Sequence, residues 1–129
     1  MTQEEKQLLH KDISARLFYG VKAEARGWDE EKEEEVLVPV TVYSVNTDGY
    51  VYFADNDYDI TYCSIDACRL YLRQMSSMTE EEEIYYNTIY TTLKFYEKED
   101  WLNEHHFDYR GLIPMGLALE APEDMYKIE

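Results

Sequence analysis

"VLVPVTVYSVNTDGYVYF", residues 36–53, decides the fold. Its first ten residues are rich in β-branched side chains, which fit a pleated, half-buried surface better than a helix. "NTDG", residues 46–49, is turn chemistry: Asn and Asp bond their own backbone, and Gly accepts a positive φ. "YVYFAD" then returns as a strand. Pro39 has no N–H to donate, so the first strand is expected to be at an edge or bulged there.

The pattern continues on both sides. Upstream, Tyr19, Val21, Ala23 and Ala25 alternate with Gly20, Lys22, Glu24 and Arg26, which predicts a half-buried strand. "DEEKEEE", residues 29–35, follows as a solvated hairpin connection, because like charges this dense repel one another in a packed setting. Downstream, "NDYD" is a second turn, "ITYCSI" a short strand, and "ACRLYLRQM" a turn leading into a last strand. Four or five short antiparallel strands within residues 18–75 predict a small curled sheet or barrel. From "YSVNTDGYVYF" to "SIDACRLYLRQM" the succession of strand, tight turn, strand, short turn and last strand resembles SH3-like barrels. That likeness is one of fold and carries no function.

The flanks are helical. In residues 3–16, Thr2 caps the first turn and Glu5 completes a capping box. Leu8, Leu9 and Ile13 share a face that Leu17 extends, and Lys6, Lys11 and Asp12 are expected on the solvent side. In the helical region 79–119, Thr79 and Glu82 form a second capping box. The glutamates at 80–83 occupy the first turn, where the helix dipole favours negative charge. Tyr85, Ile89, Leu93 and Tyr96 form one face, widened by Tyr86 and Tyr90. Asp100 is expected to cap a further helix carrying Trp101, Leu102 and His105. Gly111 breaks it, and "LIPMGLALEAP" is expected to be a short turn and helix before a loose tail. The class is therefore α+β, with one domain over residues 1–129: an N-terminal helix, a small antiparallel sheet or SH3-like barrel, and a helical C-terminal part.

Composition narrows function. With 28 acidic and 12 basic residues the net charge is −16. Phosphate backbones and anionic membrane surfaces repel such a chain, so direct nucleic-acid or membrane binding is not expected. The N-terminus lacks the basic and apolar regions of a signal peptide, and no apolar run is long enough to span a bilayer. A cytoplasmic protein with Cys63 and Cys68 reduced is expected.

The densest chemistry is in "WLNEHHFDYRGLI", residues 101–113. His105, His106 and Asp108 form a candidate cluster, but adjacent helical residues point about 100° apart and cannot easily share one ion. The bland alternative packs one histidine on the sheet and sets the other against the helix carbonyls. Asp55, Asp57 and Asp59 have calcium-loop spacing, but the glycine position holds Ile60 and the closing position Asp66. No phosphate-binding or nucleophile-elbow motif occurs, and a Cys–His pairing is left open. No cofactor is expected. The 13 tyrosines are an unusual load of a residue favoured at interfaces, and Tyr86 and Tyr90 are the candidate interface.

The stretches "ARLFYGVK", "YLRQMSSMTEEE" and "DWLNEHHFDYRGLIPMGLALEAPEDMY" resemble a group of short bacterial proteins from gut anaerobes, often near phage-like or mobile elements. The resemblance implies a stand-alone accessory protein and brings no catalytic residues with it. It also makes residues 101–113 a structural signature, anchored by Trp101, Leu102, Phe107, Leu112 and Ile113. The expected function is a non-enzymatic protein-interaction or accessory module, with a protein partner or self-association. An acidic decoy that imitates DNA comes second, and a metal-dependent hydrolase using His105, His106 and Asp108 third.

Overall fold

The computed structural model describes residues 1–92 and 95–126, with the side chains of residues 89–96 outside the description. Helix α1 spans Gln3–Arg16 and opens on the expected box: Thr2 Oγ1 accepts from the Glu5 N–H, and the Glu5 carboxylate accepts from the Thr2 N–H. Six strands follow the order β4-β3-β2-β1-β5-β6, where β1 is Lys22–Asp29, β2 Glu34–Val45, β3 Tyr50–Phe53, β4 Tyr62–Ser64, β5 Arg69–Leu72 and β6 Ala118–Glu120. Helices α2, Glu80–Thr92, and α3, Phe95–Glu104, come between β5 and β6. Tyr90, Ile89 and Tyr96 have side chains outside the description, and Leu93 lies outside it altogether.

The result is an α+β domain whose sheet curls into a half-barrel. Strand β2 makes the curl. Its first part pairs with β1, its last part with β3, and a bulge between Val42 and Ser44 bends it where the partners change. The Val42 N–H donates to the Val21 carbonyl, so the period of two turns the Pro39 nitrogen away from β1. Strand β3 pairs only from Val42 onward, so the donor that proline lacks is not needed.

Both turns follow their sequence chemistry. Asn46 Oδ1 accepts from the Asp48 and Tyr50 amides, and Gly49 takes φ 87°. Asn56 closes the second turn, accepting from the Tyr58 and Ile60 amides and donating to the Ala54 and Ile60 carbonyls. Leu9 and Ile13 of α1 pack onto the inner face with Val21, Ala23, Val40, Val42, Val51, Cys68 and Leu70. Each buried Val, Leu or Ile among them contributes about 1.5–3 kcal/mol.

The structure corrects four expectations. Strand β1 starts at Lys22, not near Tyr19, because residues 17–19 turn in a 3-10 helix that ends on Gly20 at φ 69°. Asp100 lies inside α3 and does not cap it. The segment expected as a turn and helix contains β6, which pairs parallel to β5 and makes the sheet mixed. Local periodicity cannot reveal this strand: it is three residues long, and its register depends on a partner nearly fifty residues earlier. Asp12, expected in solvent, is fully buried. Arg16 Nε and Nη2 donate to its two oxygens at 2.9 and 3.1 Å, and Arg110 Nη1 donates to Oδ1 at 2.8 Å. Arg16 Nη2 also donates to the Phe107 carbonyl, so this buried network ties α1 to the chain after α3.

Candidate functional site: a cleft beside the histidines and an aromatic sheet face

Helix α3 stops because the Leu102 and Asn103 carbonyls find N–H partners outside the helix. The Phe107 N–H donates to the Leu102 carbonyl and the His106 N–H to that of Asn103. These are the paired bonds of a Schellman cap, in which the residue at C′ needs a left-handed backbone. His106 holds that position at φ 64°, where glycine is the usual residue. Leu102 and Phe107, the apolar pair that accompanies this cap, are both buried.

The cap sends the three candidate residues to different places. His106 turns inward and stacks on Tyr126, ring centroids 3.7 Å apart. Its buried Nδ1 has no hydrogen-bond partner among the described residues. Burial, with the Arg16 charge beside it, lowers its pKa to about 4, so the ring is neutral. Asp108 turns the other way, and its two oxygens accept from the Leu112 and Ile113 amides at 2.8 and 2.9 Å. His105 alone faces a cleft of about 620 Å³, lined also by Arg73, Gln74, Glu82, Glu120 and Tyr126. Among the described residues no group of three or more His, Cys, Asp or Glu side chains is placed to hold a metal ion.

The polar groups of the cleft are largely committed to one another. Arg73 grips Glu82 with two bonds of 2.8 and 2.6 Å, which bring the carboxyl down to about 2. Glu82 also accepts from the Thr79 N–H in the second capping box, and Thr79 Oγ1 accepts in return from the Glu82 N–H. Ser77 donates its hydroxyl to the Gln74 carbonyl, and Tyr126 donates to the Tyr71 carbonyl. His105 Nδ1 lies 3.8 Å from Glu82, beyond hydrogen-bond range, and its ring packs on Trp101. A histidine beside a carboxylate is half of an acid–base device. The Ser77, Thr79 and Tyr126 hydroxyls, which could serve as its nucleophile, all already hold structural bonds.

Trp101 gathers the aromatic end of the molecule. Tyr85, Tyr86, His105 and Phe107 all pack against it, and Arg73 lies 4.2 Å over the Phe107 ring. Tyr86, one of the two candidate interface residues, is therefore half-buried and stacked. The side chain of Tyr90, the other, lies outside the described residues. Among the described side chains, Ile84 and Tyr85 are the exposed apolar residues on this helix.

A larger exposed aromatic set lies on the sheet. Val51 and Phe53 of β3 are buried, so Tyr50 and Tyr52 project from the opposite face. Tyr62 of β4 meets both, with ring centroids 5.8 Å from each. Tyr43 projects from the bulge of β2. Exposures of 71% for Tyr43, 55% for Tyr62 and 42% for Tyr50 show that nothing among the described residues covers them. Alternation in "YVYF" was the sequence signal for this face. The closely spaced Tyr85, Tyr86, Tyr90 and Tyr96 of the helical region mask it. No family model matches the chain, and no curated protein or solved structure matches it either.

Proposed function

We propose that this protein is a cytoplasmic, non-enzymatic interaction module that docks a basic segment of a protein partner on the tyrosine face of β2, β3 and β4. The observation carrying this reading is the exposed Tyr50–Tyr62 pair, with Tyr43 exposed on the neighbouring β2, on a chain of net charge −16. Tyrosine offers contact area at low entropic cost and a hydroxyl at its tip, and its ring face attracts arginine and lysine. The acidic field draws the same partner in from a distance. Among the described residues no helix is long and apolar enough to cross a membrane, which is compatible with the cytoplasmic placement. An accessory role near mobile elements rests on the sequence resemblance alone.

The test compares wild type with a Tyr43→Ser/Tyr50→Ser/Tyr62→Ser variant as baits in lysate of the native host. These side chains point outward, so the variant should melt close to wild type while losing whatever basic protein the wild type captures. Equal capture by both would sink the proposal. A Glu31→Gln/Glu33→Gln/Glu34→Gln/Glu35→Gln variant should keep most of the binding. Its collapse, with a flattened salt dependence, would favour the DNA-mimic reading instead.

A further inference from the structure

Cys63 and Cys68 flank the 3-10 turn Ile65–Ala67, which closes when the Cys68 N–H bonds the Ile65 carbonyl. The turn folds the chain back on itself, and both side chains pack on the same core cluster, close enough for each thiol to perturb the other. Their surroundings differ. Cys68 is fully buried in the core beside β5. Cys63 is half-buried on β4 and lines a cavity of about 430 Å³, whose wall also carries Glu24, Arg26, Phe53 and Arg69.

We propose that Cys63 and Cys68 form a reversible intramolecular disulfide, with Cys63 as the attacking thiol and Cys68 as the resolving one, in reaction with a low-molecular-weight disulfide such as oxidised glutathione. The thiolate is the reactive form, and cationic neighbours and hydrogen bonds to sulfur favour it. The Cys68 S–H holds Cys63 below the ordinary thiol range, whereas that same bond and burial push Cys68 well above it. Cavity access adds to the asymmetry, since a small disulfide can reach Cys63 and not Cys68.

The exchange has two steps. The Cys63 thiolate attacks one sulfur of oxidised glutathione, and the S–S bond breaks to release glutathione thiolate and leave a mixed disulfide on Cys63. Cys68 then loses its proton and attacks the Cys63 sulfur. This expels the second glutathione as a thiolate, which takes up that proton. Two protein thiols are oxidised, one glutathione disulfide is reduced, and no other reagent enters. Only the 3-10 turn separates the two residues and both pack on one core cluster, so closure to a bond of about 2.05 Å calls mainly for side-chain rotation.

Purified full-length protein, incubated with oxidised glutathione, tests this by intact mass and thiol alkylation. Wild type should lose two hydrogens and both alkylatable thiols without dimerising, and dithiothreitol should restore both. Cys68→Ala should stop at the mixed disulfide on Cys63, and Cys63→Ala should leave Cys68 unmodified. Melting curves confirm that each variant is folded. If a variant fails to fold, wild-type alkylation rates decide, with Cys63 expected to react at least tenfold faster than Cys68. Persistence of free thiols, accumulation of a mixed disulfide in wild type, or modification of Cys68 as readily as Cys63 would overturn the proposal.

Discussion

His106 holds two unfavourable states at once: a left-handed backbone and a buried ring nitrogen without a partner among the described residues. The backbone alone costs about 1 kcal/mol relative to glycine. The stacking on Tyr126 offsets it in the folded protein. The pH consequence has a definite sign. The native ring titrates near 4 and the unfolded one near 6.5. Between these values the unfolded chain binds a proton that the native chain refuses. Stability should therefore fall as pH drops from 6.5 towards 4, by up to about 1.4 kcal/mol per pH unit, with no effect above 6.5. Glu82 acts lower, its contribution fading from its ordinary 4.5 down to about 2. Urea unfolding of His106→Asn at pH 5, 6 and 7 isolates the histidine, because Asn tolerates the backbone and does not titrate. The variant should lose the slope between pH 5 and 6.5; an unchanged slope would remove His106 as its source. Which histidine stands at the cap was invisible in "NEHHFD", where neither differs from the other by type. Only the chain path chooses which one turns inward.

The helical end separates two aromatic anchors that look equivalent in sequence. Phe107 is fully buried, whereas Trp101 is only partly buried between α2 and the cap. Phe107→Ala should cost about 3–5 kcal/mol, the range for a large buried aromatic, and Trp101→Ala about 2–3 kcal/mol. Chemical denaturation of the two variants side by side checks the order; the reverse order would place the keystone in the Trp101 stack. Helix α1 offers a parallel contrast. Asp12→Asn strands Arg16 and Arg110 in the interior without their anion and should cost about 3–5 kcal/mol. Lys11→Ala, one residue away on the exposed face, should stay within about 0.5 kcal/mol of wild type. Equal thermal melts would mean the buried network is dispensable. The Asp12–Arg16 pair had a sequence trace, the i, i+4 spacing. Its burial did not, because Arg110 and the Phe107 carbonyl arrive from the other end of the chain.

For the molecule as a whole, a net charge of −16 on 129 residues makes self-repulsion a property of the folded state. Acidic runs at the β1–β2 turn and in the first turn of α2 add to it. Compaction concentrates this charge, and salt screens it over a Debye length of about 10 Å at 0.1 M. The melting temperature should rise by several degrees from about 10 mM to 0.5 M sodium chloride, as read by calorimetry. A fall would show that favourable ion pairs such as Arg73–Glu82 outweigh the repulsion.

What the amino-acid order determined by itself is local. Thr2 with Glu5 and Thr79 with Glu82 start the helices, Asn46 with Gly49 makes the hairpin turn, and Val21, Ala23 and Ala25 face inward. In each case the partners lie within a few residues, so short-range hydrogen bonding and side-chain period suffice. The tertiary structure alone decided the burial of Asp12, the parallel addition of β6 to β5, the packing of the two thiols on one core cluster, the separation of His105 from His106 and the clustering of Tyr50, Tyr52 and Tyr62. Most of these depend on groups brought together from distant parts of the chain. The rest turn on the path the backbone takes through one cap or one 3-10 turn, so no spacing along the sequence records them.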